Sequence, residues 1–142
     1  MNYPEELIRG ISSLSSDFVE YCEGEFIAKA GLFQFEDTGR EDKLLEVSIN
    51  WYDDIGALKL IIEKKKANEE IQYKGGAAFL LREKIDREFV KYVSLKKVSY
   101  ERDVKDDNKY HGNILVSKDI KPLIAGLLAH LVNRIQKEIV EK

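Results

Sequence analysis

The sequence contains almost no cysteine, and no long hydrophobic run. Cys22 is the single cysteine, so a disulfide within the chain is impossible, as is typical of proteins in a reducing compartment. No segment approaches the roughly 20 consecutive apolar residues that a membrane-spanning helix needs. The N-terminus also lacks the apolar centre of a signal peptide. We therefore expect a cytoplasmic protein that does not associate with membranes.

Neither sign of charge dominates. The 23 basic and 26 acidic residues are interspersed and give a net charge of −3. Because no extended basic surface is expected, binding to nucleic acid or to an anionic membrane is not predicted. The chain has only two histidines and one cysteine, and they lack the spacing of a zinc site. We expect no metal ion and no cofactor, although spacing alone leaves a magnesium site made of carboxylates open.

Length and apolar periodicity indicate one α+β domain. The 142 residues are 44% hydrophobic, enough for a core of ordinary size. Short connections favour a mostly antiparallel five-stranded sheet with helices packed on one face, in the order α-β-β-α-β-β-β-α. For segment 86–95, the sequence pattern is compatible with either a strand or a helix. The pattern predicts helices over 4–22, 55–66 and about 20 residues after Asp119, and strands over 25–36, 43–52, 71–82, 89–102 and 113–117.

This order of elements is similar to that of the small roadblock- and profilin-like domains. The likeness concerns topology alone, because no sequence motif carries it. It implies a domain that scaffolds protein partners and often dimerises.

The most distinctive stretch is 91–118, which reads as two strands joined by a charged connector. The connector ends in Tyr110-His111-Gly112-Asn113. His111 is a candidate general base, since histidine exchanges protons near neutral pH, and Tyr110 and Asn113 are candidates to hold its ring or a substrate. The plainer alternative is a turn in which Gly112 adopts a positive φ, Tyr110 packs and His111 is exposed.

A metal-dependent hydrolase or nuclease is one alternative function. Such sites use an acidic residue with an Asp/Glu-x-Lys element to hold metal and activate water. Asp54 with Glu63 and Lys65 fits this pattern. The element recurs elsewhere in the chain, however, and Asp53 or Asp54 is equally predicted to cap the helix that follows.

A small-ligand-binding domain is another alternative. Glu46 and Asn50 alternate along one face of the strand at 43–52, and Trp51 adjoins them. Gly75-Gly76 interrupts the next predicted strand, which indicates a bulge or a close backbone approach. It lacks the Lys-Ser/Thr of a phosphate-binding loop.

The favoured prediction is a small non-catalytic protein-interaction module that acts as an adaptor or scaffold. The strand predicted at 25–36 carries apolar side chains on both faces, and the last helix has a broad apolar stripe. Surplus apolar surface and surface aromatics are typical of interfaces. We therefore expect a homodimer, a complex with another protein, or both.

Overall fold

The computed structural model describes residues 3–92, 98–118 and 121–139. These residues form one α+β domain with eight strands, three α-helices and a short 3-10 helix, which confirms the predicted class. The order differs from the prediction, because the chain begins with four strands. The elements are β1 (Glu6–Ile11), β2 (Val19–Cys22), β3 (Glu25–Ala28), the 3-10 helix (Ala30–Leu32), β4 (Leu45–Trp51), α1 (Ile55–Ile62), β5 (Gly76–Leu81), α2 (Arg82–Tyr92), β6 (Ser99–Arg102), β7 (His111–Val116), α3 (Lys121–Leu131) and β8 (Arg134–Gln136).

Six of the strands form one sheet, in the order β6-β7-β4-β1-β5-β8, while β2 and β3 form a separate hairpin. Every strand pair in the described residues is antiparallel, as predicted. The predicted count of five strands is wrong, because β1 and β8 were both assigned to helices. With a different order of elements, the topological similarity to roadblock- and profilin-like domains loses its basis.

The helix predicted over 4–22 is wrong, because its first half is the central strand β1. Leu7 and Ile11 are fully buried on one face of the sheet, and Ile8 is fully buried on the other. A strand covered on both faces carries apolar residues at adjacent positions, which resembles helical spacing in a short window. Gly10 and the serines that follow have poor helix propensity, consistent with a strand and a loop.

The helices cover both faces of the sheet, so the predicted one-sided arrangement is wrong. Helices α2 and α3 pack on the face that carries Val47, Trp51 and Leu80. Helix α1 packs against β1 and β5 on the opposite face, where Leu58 meets Phe79 and its neighbours. Over β4, β7 and β6 that second face carries mainly polar side chains instead.

Segment 86–92, for which both strand and helix are predicted, lies within α2. Ile85 and Phe89 are one helical turn apart and both are buried, so the helical alternative for this region is confirmed as far as Tyr92. Residues 93–97 lie outside the described residues, and the strand predicted over 89–102 is found only as β6.

The C-terminal helix ends at Leu131, well before the predicted end near Ile139. The backbone N–H of Asn133 donates to the Phe79 carbonyl at 2.7 Å, and β8 then pairs with β5. The Arg134 guanidinium lies 3.7 Å from the centre of the Phe79 ring. Sheet pairing therefore replaces a last helical turn. The predicted cap Asp119 lies outside the described residues, and no helix within them has the length and apolar character to cross a membrane.

Two local predictions are confirmed around β4 and α1. Leu45, Val47, Ile49 and Trp51 form one buried face of β4. The Asp54 side chain caps α1 by accepting a hydrogen bond from the Gly56 N–H at 2.8 Å.

Candidate functional site

The part of the sheet beyond α1 forms what we call the polar face: Glu46, Ser48 and Asn50 of β4, Glu101 of β6, and His111 and Asn113 of β7. Strand register brings these side chains together, since Asn50 pairs with His111, Ser48 with Asn113, and Asn113 with Glu101. A groove of about 960 Å³ lies beside this face, between α1 and the 105–110 connector. The polar face contains half of the ligand-binding candidates named from the sequence, namely Glu46, Asn50, His111 and Asn113.

Two hydrogen bonds hold the connector against the sheet and α1. The Tyr110 hydroxyl donates to the Asp54 carboxylate at 2.6 Å, which lowers the pKa of Asp54 and raises the pKa of Tyr110 to about 12. Buried Asn50 accepts from the Asn108 amide at 2.7 Å and donates to the Ala57 carbonyl at 3.3 Å. These polar groups therefore have structural partners.

His111 is half-buried at the edge of the groove. Its Nδ1 lies 2.8 Å from the Asp103 backbone carbonyl and 3.6 Å from the Asp103 carboxylate. A neutral ring that donates from Nδ1 keeps Nε2 as an acceptor. This geometry holds the ring in place, and an acceptor nitrogen alone does not make a catalytic site.

The turn predicted at 110–113 is wrong, because β7 begins at His111. Tyr110 packs as expected, being only 6% exposed. Gly112 has no positive φ. Glycine is required there by space, since a Cβ would overlap the Trp51 indole and the Glu101 carbonyl.

Arg40 organises the other end of the polar face. Its guanidinium donates to Asp42 at 2.9 Å, to Glu46 at 3.0 Å and to Glu101 at 2.6 Å, and these bonds lower the pKa values of Asp42 and Glu101. Asn113 donates to Glu101 at 2.7 Å. The buried Oδ1 of Asn113 has no hydrogen-bond partner among the residues that the structure describes. No local pattern points to Arg40, because its contact with Glu101 joins residues 61 positions apart.

Trp51 and the paired glycines are not brought to the polar face. Trp51 is fully buried on the opposite face of the sheet, where its indole N–H donates to the Glu101 carbonyl at 3.1 Å. Gly75 packs against Ile11, and Gly76 begins β5 with a φ of 80° against the backbone of Gln136. The predicted close backbone approach is therefore present at Gly76, where it serves the pairing of β5 with β8.

The candidate metal residues also stay apart. Asp54 caps the start of α1 and Glu63 the end, so the helix separates them by about 13.5 Å, at 1.5 Å per residue. Lys65 is exposed beyond that end. Within 3–92, 98–118 and 121–139 no group of three or more His, Cys, Asp or Glu residues is arranged to hold a metal ion.

The β2–β3 hairpin is a second candidate, and sequence reasoning missed it. Its strands pair from Val19–Ala28 to Cys22–Glu25. The two-residue turn of Glu23 (φ 50°) and Gly24 (φ 85°) has the positive φ angles of a type I′ turn. The available signal is the Glu-Gly dipeptide between two short strands, but the helix predicted over 4–22 includes β2 and so conceals the hairpin.

One part of the hairpin is buried and the rest is exposed. Val19 and Ala28 anchor it to the main core, being 3% and 8% exposed. Side chains alternate between the faces of a strand, so Ile27 lies on the outer face. We define the hairpin surface as the exposed side chains of both faces: Glu20, Cys22, Glu25 and Ile27 on the outer face, and Tyr21 on the other face, where its ring contacts Phe26 edge-on. Tyr21 is 65% exposed and Ile27 is 48% exposed, so the hairpin surface combines apolar and acidic side chains.

No family model, no curated protein and no solved structure matches the chain.

Proposed function

We propose that the protein is a non-catalytic interaction module that binds another protein through the hairpin surface. The observation that carries the proposal is the exposure of Tyr21 and Ile27 on a well-anchored hairpin. Covering apolar surface is worth about 25 cal/mol per Å², and exposed apolar side chains rimmed by polar ones are typical of interaction sites. Tyrosine is also enriched among the residues that dominate binding energy.

The polar face supports a binding role less well than the hairpin surface does, and it supports a catalytic role least. Asp54, Asn50 and His111 each contact a structural partner within the domain. Catalytic groups need a reacting atom within hydrogen-bond reach. Asp54 and Asn50 already contact Tyr110, Asn108 and Ala57, and His111 offers only its Nε2 as an acceptor. We therefore assign these side chains to holding the connector in place.

The charge of the hairpin supports a basic partner. Segment 10–28 contains no lysine or arginine, whereas Asp17, Glu20, Glu23 and Glu25 are acidic. On the outer face, Ile27 pairs with Glu20, and Cys22 pairs with Glu25. A protein segment that presents basic side chains beside apolar ones complements this arrangement in charge and in hydrophobicity.

A defined peptide tests the proposal directly. A fluorescein-labelled peptide of alternating leucine and arginine serves as the probe, and the same peptide with glutamate for arginine is its control. We expect fluorescence anisotropy to show saturable binding of the arginine peptide alone. Equal binding of the two peptides, or binding of neither, would contradict the proposed partner chemistry.

The predicted homodimer and cytoplasmic location belong to the same proposal. A homodimer that uses this surface would be weakened by Ile27→Ser, since the change removes an exposed apolar side chain. Light scattering at tens of micromolar checks this. A monomer under those conditions contradicts the predicted homodimer, and a dimer that is unchanged in Ile27→Ser lies at another surface.

A further inference from the structure

Arg9 lies where two central strands separate. β1 and β4 pair only at Leu7–Trp51 and Ile8–Asn50, so the next residue of β1 faces an opening in the sheet. The Arg9 guanidinium donates from Nε to the Leu32 carbonyl at 2.7 Å and from Nη1 to the Ser48 carbonyl at 2.6 Å. The Arg9 side chain thus spans the gap between β1 and β4 by donating hydrogen bonds to neutral backbone carbonyls.

Arg9 forms no ion pair with a carboxylate in the part of the chain that the structure describes. A guanidinium carries five N–H donors, and the two bonds to Leu32 and Ser48 use two of them. Across residues 3–92, 98–118 and 121–139, no carboxylate lies within ion-pair distance of Arg9, and its other donors have no hydrogen-bond partner. Arg9 is half-buried. Burial lowers its pKa, while nearby Tyr73 and Glu36 act to raise it. A partly desolvated charge is stabilised when an anion joins it.

Arg9 is also accessible, because it lines the groove between α1 and the connector. The groove has an excess of basic groups, with acidic Glu63, Asp106 and Asp107 set against Arg9 and the lysines at 59, 64, 105 and 109. Its α1 wall includes Leu60, which is 37% exposed, and Ile61. A volume of about 960 Å³ is within the range of small-molecule sites.

We propose that this groove binds a small organic anion, with a carboxylate or phosphate group against Arg9 and an apolar part against Leu60 and Ile61. A planar guanidinium matches both anionic groups through paired N–H donors. The site is independent of the hairpin surface, because no residue of β2 or β3 lines the groove.

Three probes of equal chain length test the site by isothermal titration calorimetry. Octanoate and monooctyl phosphate carry the two candidate anionic groups, and 1-octanol carries neither. We expect saturable binding of one or both anions and no comparable binding of 1-octanol. The stronger of the two anions identifies the preferred group. Binding of neither anion, or equal binding of 1-octanol, would overturn the proposal.

Two methionine variants localise the binding. Arg9→Met should weaken the anion Kd by about tenfold or more, since it removes a charge-assisted hydrogen-bond donor. Arg87→Met is the matched control: Arg87 is exposed on α2, which covers the other face of the sheet, and the change should leave Kd unaltered. Unchanged affinity in Arg9→Met would contradict the assignment.

Amide chemical shifts of the unaltered protein give a second test that does not depend on how Arg9→Met folds. Titration with the tighter anion should shift the resonances of Arg9, Ser12, Ser48 and Tyr73, which line the groove. Shifts confined to residues outside the groove would overturn the proposal.

Discussion

The polar face and the hairpin surface differ in how fully the fold accounts for their side chains. On the polar face, Asn50, Glu101 and His111 are chemically versatile, yet each is bonded to another part of the domain. On the hairpin surface, Tyr21 and Ile27 are chemically plain, yet they remain 65% and 48% exposed, although Tyr21 contacts the Phe26 ring. An exposed apolar side chain can therefore be better evidence for function than a polar side chain that already has a partner within the domain.

Gly112→Ala should produce the largest effect, because a Cβ there would overlap the Trp51 ring and the Glu101 backbone. Overpacking of this kind costs about 1–3 kcal/mol, and more where backbone must move. Urea unfolding measures the change. Gly126→Ala is the control, since nothing lies within 4 Å of that position and alanine should stabilise helix α3 by about 1 kcal/mol. Equal changes in the free energy of unfolding for Gly112→Ala and Gly126→Ala would contradict the close packing of β7 on β4.

Asn50→Ala should lower the free energy of unfolding by about 1–2 kcal/mol, because two hydrogen bonds from a buried amide are lost. Those bonds join β4 to α1 and to the connector. Ser48→Ala, at an exposed position two residues earlier, should stay within about 0.5 kcal/mol. Urea unfolding of both variants decides whether the polar face stabilises the fold. An unchanged free energy of unfolding in Asn50→Ala would contradict that structural role.

Tyr110→Phe should have a smaller effect, visible as a change in alkaline stability. The hydrogen bond to Asp54 raises the pKa of Tyr110 from 10.0 to about 12. The folded state therefore retains a proton that the unfolded state loses, so this contribution to stability is present below pH 10 and is lost as pH rises towards 12. Unfolding free energies of the two proteins should converge over that interval. A constant difference from pH 8 to 12 would contradict the bond.

The elements that sequence reasoning found are those with one buried face. β4 alternates cleanly, and Asp54 caps α1 where a short polar side chain precedes an apolar run. β1 was mistaken for a helix because burial of Leu7 and Ile8 on opposite faces removes the alternation. α3 was extended too far because Ile135 continues a helical spacing, whereas pairing with Ala78 places it in β8.

The candidate sites were less accessible to sequence reasoning, because they depend on register. Glu46, Asn50, His111 and Asn113 were named from local patterns, and their shared face follows from the pairing of β4 with β7. Trp51 was grouped with Asn50 as a neighbour in sequence, although adjacent strand residues point to opposite faces. Arg9 was read as a helical residue, so its position between separating strands could not be foreseen.

The most direct test of the hairpin surface compares two exposed isoleucines. Ile27 on the hairpin is 48% exposed and Ile71 in the loop before β5 is 51% exposed, so serine at either position should change the free energy of unfolding by no more than about 0.5 kcal/mol. Anisotropy with the leucine–arginine peptide should give a Kd at least about tenfold weaker for Ile27→Ser, the usual scale for a residue central to an interface. Ile71→Ser should bind as the unaltered protein does. Equal affinities of the two variants would contradict the assignment of binding to the hairpin.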